Sequence, residues 1–294
     1  VTRHFVNEEA ARKAVQKKEI YGYLSIPPKF EQDAISGKNA TLSYYYHYAL
    51  LSVGGELMAA FETSLAPVSL SPIVMQAVAL GVEQDKITTF LLPVQASNHP
   101  IYNPSLDYSV YLSQPFFFVL FQVLILLITV YAVGIEIKFR TADEWLFVAK
   151  GNMVTAVLGK LLPYTIIFIL IGWLANYVMF GILHIPFQGS WLLMNMLTAL
   201  FVVATQALGL FLFSLFPAIS LIISIVSMVG SLGATLSGVT FPVTNMYPLV
   251  RDASYLFPVR HFTEMMQNML YGGSGFIYLW PSVVILCIFP LLAF

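Results

Sequence analysis

The 90 residues from Leu161 to Val250 contain no Lys, Arg, Asp or Glu. One helix of that length, at about 1.5 Å per residue, would be several times longer than the bilayer's hydrocarbon core of about 30 Å is thick. A soluble domain needs charged side chains on its outer faces, so the segment is predicted to lie in lipid and to cross it repeatedly. The whole chain agrees, since 58% of its residues are hydrophobic and only 10% are charged.

The charged residues divide the chain into two parts. Residues 1–107 carry 8 basic and 10 acidic side chains, whereas residues 108–294 carry 6 and 5. We predict a mixed α/β domain over 1–107 and a transmembrane domain over 108–294. The net charge of −1 gives no indication of nucleic acid binding. Composition and turn signals in the first part predict helices over 7–18, 50–65 and 72–83 and strands over 20–26, 41–47 and 87–95.

The transmembrane domain is interrupted by helix-breaking residues at 184–190, 216–217 and 272–275. The fold class predicted is an α-helical polytopic membrane protein with an extracytoplasmic mixed α/β domain. Each apolar run between the breaks is long enough to cross a bilayer. Five spans follow from these limits, over 113–137, 158–183, 191–216, 218–240 and 276–294.

Basic residues orient the predicted spans. Lys138, Arg140 and Lys150 lie between the first two spans, and no Lys or Arg occurs between Ile87 and Ile137. The positive-inside rule then puts loop 138–151 in the cytoplasm and the N-terminal domain outside. Because an external domain must be drawn across the membrane by a span ahead of it, we expect a sixth span before Val1.

Loop 138–151 contains a short predicted helix. Thr141 is a candidate N-cap, and Glu144 three residues later would complete a capping box. The helix would present Trp145, Leu146 and Val148 beside Asp143 and Glu144. Composition alone favours a helix lying at the lipid interface over the alternative, a docking element for a cytoplasmic partner.

Two further elements carry patterned residues. In the fourth span, small residues recur at intervals of three and four, which is typical of close packing within a subunit or across a dimer, or of a mildly polar wall of a substrate path. These residues are Ser220, Ser224, Ser227, Ser231 and Ala234. Segment 241–275 is predicted to hold an amphipathic helix lying on or dipping into the outer face. Its apolar side carries Val259, Phe262, Met266 and Met269, and its other sides carry Arg260, Glu264 and Gln267.

Polar residues inside the spans are expected to serve packing. Glu136, at the end of the first span, is interpreted as a packed or snorkelling carboxylate rather than an ion relay. Four amides are predicted to form hydrogen bonds between helices, namely Gln122, Asn176, Asn195 and Gln206. No nucleotide-binding or hydrolase motif occurs, and the histidines and Cys287 lack ligand spacing. We therefore expect neither an enzyme nor a metal site, and any energy must come from a partner.

Five segments in this order resemble the membrane subunit of type-2 ATP-binding-cassette exporters, the permease family of multidrug-type efflux systems. They are Gly22–Phe30 (GYLSIPPKF), Tyr102–Pro115 (YNPSLDYSVYLSQP), Gly134–Leu146, Gly159–Tyr164 (GKLLPY) and Leu256–Glu264 (LFPVRHFTE). The resemblance implies a dimeric six-span permease served by two separate ATPase subunits, which bind the ATP and Mg²⁺. It also implies that Lys138–Lys150 is a coupling helix. The implied contact residues are Lys138, Arg140, Thr141, Asp143, Glu144 and Trp145.

The sequence thus predicts an exporter permease of a bacterial cytoplasmic membrane that moves a hydrophobic or amphipathic substrate, drug-like or lipid-like. Its expected partners are the ATPase subunits, a second permease copy or a paralogue, the lipid bilayer and, as a further candidate, a periplasmic adaptor. One alternative is a membrane-anchored receptor or assembly protein whose external domain binds a partner. A membrane-embedded transferase is disfavoured, because the charge-free segment offers no acid–base groups apart from His184.

Overall fold

A computed structural model describes residues 3–16, 19–30, 32, 40–47, 51–69, 94–101, 108–185, 187, 189–239, 243, 246–271 and 279–293. The chain divides into two compact units, Val1–Tyr108 and Ser109–Phe294. The first unit is mixed α/β within these ranges, and the second is helical.

The N-terminal unit is built on a three-stranded sheet. Its described elements are α1 (Glu8–Gln16), β1 (Gly22–Ser25), β2 (Ala40–His47), α2 (Leu51–Ser69) and β3 (Val94–Ile101). The central strand β2 pairs antiparallel with β1 and parallel with β3. The predicted start of α1 is confirmed, because the Asn7 side-chain oxygen accepts a hydrogen bond from the Ala10 N–H at 2.8 Å.

The two faces of the sheet differ because successive strand residues point to opposite sides. On one face Leu42, Tyr44 and Tyr46 are buried. Residues packed against them are Phe30, Leu57, Met58 and Phe61. On the other face the rings of Tyr23, Tyr45 and His99 stack across the three strands, with neighbouring centroids 4.8 and 4.7 Å apart.

The third strand differs from the prediction. We expected strand over 87–95, but the described strand begins at Val94 and ends at Ile101. Its extent matches β2 residue by residue, from Ala40 opposite Val94 to His47 opposite Ile101. The predicted residues 87–93 lie outside the described residues, and the strand continues past its predicted end to Ile101. The helix predicted over 72–83 lies outside the described residues.

The second unit contains eight described α-helices. They are α3 (Tyr108–Lys138), α4 (Ala142–Val148), α5 (Met153–Asn176), α6 (Trp191–Leu215), α7 (Ile219–Leu236), α8 (Pro248–Ser254), α9 (Pro258–Tyr271) and α10 (Trp280–Leu292). A π-helical turn, Tyr177–Ile182, extends α5. Four segments are long and apolar enough to cross a membrane, namely Leu112–Lys138, Met153–Ile182, Trp191–Leu215 and Ile219–Leu236.

The first, third and fourth predicted spans agree with these helices to within four residues at either end. The second begins earlier than predicted, at Met153, because the Asn152 side chain caps it by accepting from the Thr155 N–H at 3.1 Å. The predicted last span, 276–294, contains α10, whose 13 described residues are shorter than the four spanning segments.

Helix α6 lies at the centre of this unit. The most apolar stretch of α6 is 61% buried within the unit, whereas the corresponding stretches of α5 and α7 are each 22% buried. The buried rings of Phe118 on α3 and Phe201 on α6 both contact Phe262 on α9, at centroid distances of 4.5 and 4.7 Å. Helices α5 and α7 therefore expose most of their apolar surface, as expected where lipid covers it.

Candidate functional site

Two tight turns isolate helix α4 from the long helices on either side. At the end of α3, Arg140 has a φ of 59°. Its N–H donates to the Ile137 carbonyl at 3.2 Å, and the Thr141 N–H donates to the Glu136 carbonyl at 2.9 Å. This pair of bonds is a Schellman motif, with Arg140 in the left-handed position that glycine usually occupies. The turn reverses the chain and fixes where α4 begins.

The C-terminal end of α4 repeats this arrangement. Lys150 has a φ of 55° and donates from its N–H to the Phe147 carbonyl at 2.9 Å. The Gly151 N–H donates to the Leu146 carbonyl at 2.9 Å, and Gly151 is itself left-handed with a φ of 77°. Both turns therefore place a cationic residue where glycine is common, so α4 is a rigid unit bracketed by positive charges.

A four-residue cluster, Glu136, Thr141, Trp145 and Lys160, ties α4 to both neighbouring spans. The Glu136 carboxylate at the end of α3 accepts hydrogen bonds from the Lys160 ammonium on α5 and from the Thr141 hydroxyl. The same ammonium lies over the Trp145 ring of α4, 5.3 Å from its centroid. The Glu136 and Lys160 side chains are only 18% and 19% exposed, so this ion pair is shielded from water.

The cluster corrects one prediction. Thr141 stands at the N-cap position of α4, but its side chain forms no capping bond. Its backbone is not in the extended conformation of an N-cap (φ −99°, ψ 5°), and its N–H already donates to the Glu136 carbonyl, so the capping box with Glu144 is absent. Its hydroxyl donates to the Glu136 carboxylate instead. The predicted packed role of Glu136 is confirmed, with Lys160 as its partner.

The outer surface of α4 combines charge with exposed apolar area. None of its seven residues is buried. Asp143 and Glu144 are exposed, as are Lys138 and Arg140 just before the helix. Phe147 and Val148 are 84% and 81% exposed; Val148 was expected on this surface, whereas the sequence analysis did not predict Phe147 there. A seven-residue helix that turns Trp145 inward turns Phe147, two positions and about 200° further round, away from it.

A groove of about 530 Å³ separates α4 from the start of α5. Its lining residues are Trp145, Val148, Ala149, Thr155, Ala156, Gly159 and Lys160. Gly159 has open space beside it, since no atom of another described residue lies within 4 Å of where a Cβ would stand. The groove and the exposed pair Phe147 and Val148 together make α4 a ready contact surface.

The small residues of α7 separate into two faces. Ser220, Ser224, Ser227 and Ser231 are exposed, and Ala234 is half-buried. The face that packs within the subunit is marked by glycines instead. A Cβ on Gly230 would stand 2.6 Å from Val123, and one on Gly233 would stand 2.7 Å from the Gln122 amide nitrogen, both on α3. Packing of the serine face against a second copy, or its role in a path, stays a prediction.

Helix α9 is enclosed on both its apolar and its polar sides. Val259, Phe262, Met266 and Met269 are buried, at 0–1% exposure. The opposite side is covered as well, because Arg260, His261 and Thr263 are buried and Glu264 and Gln267 are half-buried. The four predicted apolar residues do lie together inside the unit, and the placement of the helix on or dipping into the outer face stays a prediction. An amphipathic pattern shows which side is apolar, but it cannot show that neighbouring helices also cover the polar side.

Several groups on the buried polar side of α9 pair with neighbouring side chains and carbonyls, although Arg260 Nε, His261 Nδ1 and Gln267 Nε2 have no hydrogen-bond partner among the described residues. Arg260 pairs with Glu264 at 3.1 Å, and the Ser282 hydroxyl of α10 donates to the same carboxylate at 3.2 Å. His261 contacts the Tyr255 carbonyl through Nε2 at 3.0 Å. Desolvation lowers the pKa of His261, and the neighbouring Arg260 charge adds to that shift, while the Tyr255 carbonyl and Glu264 oppose it.

The amides within the spans form hydrogen bonds between helices, as predicted. Asn176 on α5 donates to the side-chain oxygens of Asn195 and Thr198 on α6, at 3.1 and 3.0 Å. Thr165 donates to Gln206 at 2.7 Å. Gln122 accepts from the Val259 N–H at 2.9 Å, which joins α3 to α9. These bonds give the polar side chains partners inside a bilayer, where no water is available to them.

The sequence profile of the ABC-2 family transporter proteins matches residues 1–294. The chain belongs to this family. The ABC-2 assignment covers both units and agrees with the four spanning segments. The chain is thus a transporter membrane protein of the ABC class, as its resemblance to multidrug-type permeases predicted.

Curated relatives carry permease names. The inner membrane transport permease YhhJ of Escherichia coli K12 is 31% identical over 109 residues, covering 36% of this chain and 28% of that protein. The probable multidrug ABC transporter permease YbhS of the same organism is 26% identical over 151 residues, covering 50% and 39%. For the probable multidrug ABC transporter permease YbhR the identity is 24% over 182 residues, covering 62% and 49%.

The chain therefore spans less than half the length of the curated relatives it matches. No solved structure matches it.

Proposed function

We propose that this chain is the permease subunit of an ATP-driven exporter in a bacterial cytoplasmic (inner) membrane. It moves a hydrophobic or amphipathic substrate, drug-like or lipid-like, from the cytoplasm or the inner leaflet. A separate ATP-binding-cassette subunit hydrolyses the ATP and binds its Mg²⁺. The observation that carries this proposal is α4, an exposed helix anchored to two membrane spans.

The exposed side of α4 suits a protein partner. Phe147 and Val148 offer apolar area, and Asp143 and Glu144 beside them supply charges that can select the partner. Lys138 and Arg140 extend the same surface. The name of two relatives, probable multidrug ABC transporter permease, supports a partner ATPase for this chain.

The inner side of α4 suits the transmission of movement. Two Schellman turns and the Glu136 cluster fasten α4 to α3 and α5. A displacement of α4 by a bound ATPase therefore displaces both spans, because the links are short, shielded and multiple. Thr141 and Trp145 act here as anchors, and the exposed charged residues act as contacts.

The remaining assignments follow from the same architecture. The cationic turns around α4 lie in the cytoplasm by the positive-inside rule, so the N-terminal domain is extracytoplasmic. The exposed serine face of α7 packs against a second permease, identical or paralogous, or lines the substrate path. A periplasmic adaptor is a candidate partner of the N-terminal domain.

Charge reversal on α4 tests this function. In Asp143→Lys/Glu144→Lys, an ATPase subunit that co-purifies with the unaltered permease is expected to be lost, together with ATP-dependent efflux. Asp252→Lys, an exposed acid on α8, is the matched control and should retain both. The purified chain alone should hydrolyse no ATP. ATP turnover by the chain alone, or intact association and efflux after reversal, would contradict the proposal.

A further inference from the structure

We propose that Gln122 is the positioning residue through which α3 holds α9, so that displacement of α4 is passed along α3 to α9. The inference rests on the proposed function and extends it from α4 into the membrane unit. It starts from one hydrogen bond between residues 137 positions apart, the Val259 N–H donating to the Gln122 side-chain oxygen at 2.9 Å.

This bond replaces a local helix cap. Helix α9 begins at Pro258, which has no N–H, so the first backbone donor needing a partner is that of Val259. The preceding residue, Phe257, has no side-chain acceptor. Gln122 and Val259 are both fully buried, so water cannot take over the contact. The start of α9 therefore depends on a side chain of α3.

Helix α7 packs against the Gln122 amide from the other side. Gly233 leaves room for it, since a Cβ there would stand 2.7 Å from the Gln122 nitrogen. The same absent Cβ would also approach Phe257 and Val259, at 3.3 and 3.5 Å. Gln122 thus lies where three helices converge, and its rotamer has little freedom.

An aromatic contact reinforces this link one helical turn away. The Phe118 ring of α3 lies 4.5 Å from the Phe262 ring of α9, and both residues are fully buried. Phe118 precedes Gln122 by four residues, so the two side chains share one face of α3. Helix α3 therefore contacts α9 through one polar and one aromatic side chain, one helical turn apart on the same face.

The same helix reaches the four-residue cluster at its other end. Fourteen residues separate Gln122 from Glu136, which is about 21 Å of continuous helix. The proline of α3, Pro115, lies before this stretch and cannot bend it. Movement imposed on Glu136 through α4 consequently arrives at Gln122 with little loss.

Gln114 supplies a matched control. It lies on α3, two turns before Gln122, and is also fully buried. Neither polar atom of its side chain has a hydrogen-bond partner in the described part of the chain. A Gln→Met change at either position removes the same groups from the same helix, but only Gln122→Met removes a bond to α9.

The test uses the full-length permease with its co-purified ATPase in lipid nanodiscs. With Cys287→Ser as background, Leu256→Cys places one thiol at an exposed site just before α9. The maleimide labelling rate of that thiol is compared with and without trapping by ATP and orthovanadate. The rate should change on trapping, and Gln122→Met should reduce the change about fivefold, the factor that one hydrogen bond commonly supplies.

Gln114→Met should leave the response intact, and so should Gln122→Glu, which keeps an oxygen acceptor of the same reach. Vanadate-sensitive ATPase activity should persist in all three. Should Gln122→Met not yield folded complex, Gln122→Asn, one methylene too short, takes its place.

An unchanged response in Gln122→Met, an equal loss in Gln114→Met, or no response in the background protein overturns the inference alone. Absence of any vanadate-sensitive ATPase from the complex overturns the proposed function, and this inference falls with it. The two failures are therefore distinguishable.

Discussion

At the scale of single residues, the Glu136–Lys160 ion pair is the most consequential contact near α4. Each side chain is less than one-fifth exposed, so removing one partner leaves the other charge poorly solvated. We expect Glu136→Gln and Lys160→Met each to destabilise the protein. The double variant should lose less than their sum, by a coupling energy of about 1–3 kcal/mol. Reversible unfolding in mixed micelles measures this cycle.

Glu136→Gln combined with Lys138→Met is the control for that cycle, because the Lys138 side chain is exposed and does not pair with Glu136 among the described contacts. Its two effects should add. Full additivity in the Glu136–Lys160 cycle would show that the pair contributes nothing to anchoring α4, and the cluster would lose its mechanical role.

His261 makes stability depend on pH. Burial lowers the pKa of His261 in the folded protein, with Arg260 lowering it further against the opposing Tyr255 carbonyl and Glu264. In the unfolded chain the same group takes up a proton near pH 6.5. Below about pH 6.5 the unfolded state therefore binds the proton first, and stability falls as pH falls.

The measurement is the thermal midpoint of unfolding in detergent between about pH 5 and pH 7.5, a range that brackets the unfolded histidine. The midpoint should decline toward acid pH, and His261→Gln should flatten that decline. An equally steep decline in His261→Gln would assign the pH dependence to other groups.

At the scale of elements, α7 has one face that packs and one that does not. Gly230→Val is expected to push α7 away from Val123 on α3 and to lower stability by about 1–3 kcal/mol, the usual cost of overpacking. Ser227→Val adds a comparable side chain on the exposed face and should leave the stability of the single chain unchanged. The same unfolding assay compares the two variants, and equal effects would refute the two-face description.

Helix α9 shows what the sequence alone could not predict. Periodicity correctly placed Val259, Phe262, Met266 and Met269 on one side, because apolar spacing reports which residues can share a face. It could not report that α10 supplies Ser282 to Glu264 or that α3 supplies Gln122 to Val259. Such partners lie far away in sequence, and they decide whether a polar side is exposed or covered.

Local signals fared better where one residue decides the outcome. Asn7 begins α1, and apolar length predicted four spanning helices to within a few residues at most of their ends. The capping box failed because the turn at Arg140 engages the Thr141 N–H with the Glu136 carbonyl and leaves the Thr141 backbone outside the extended N-cap conformation. Which residues pair within the four-residue cluster could therefore be identified only from the folded structure.

At the scale of the whole molecule, the distribution of charge determines the proposed orientation. The second unit has its described cations near the two turns around α4 and near α8 and α9. Arg260 of α9 is buried and pairs with Glu264, and Arg251 of α8 is exposed beside Asp252, whereas Lys138, Arg140 and Lys150 are exposed as a group. The positive-inside rule places a loop with several exposed Lys and Arg side chains in the cytoplasm, so α4 should face that side.

Orientation is tested by labelling single cysteines in the full-length protein. In a Cys287→Ser background, Val6→Cys marks the N-terminal unit and Phe147→Cys marks α4, both at exposed positions. A membrane-impermeant maleimide added to intact spheroplasts should label Val6→Cys at once. It should label Phe147→Cys only after permeabilisation, because a charged reagent cannot cross the hydrocarbon core.

Ile167→Cys, in the middle of α5 and exposed only to surrounding lipid in this scheme, is the control that should resist labelling under both conditions. Labelling of Val6→Cys only after permeabilisation would place the N-terminal unit on the same side as α4. That result would remove the extracytoplasmic domain from the exporter proposal while leaving the ABC-2 family membership intact, since the family match does not depend on which side each unit faces.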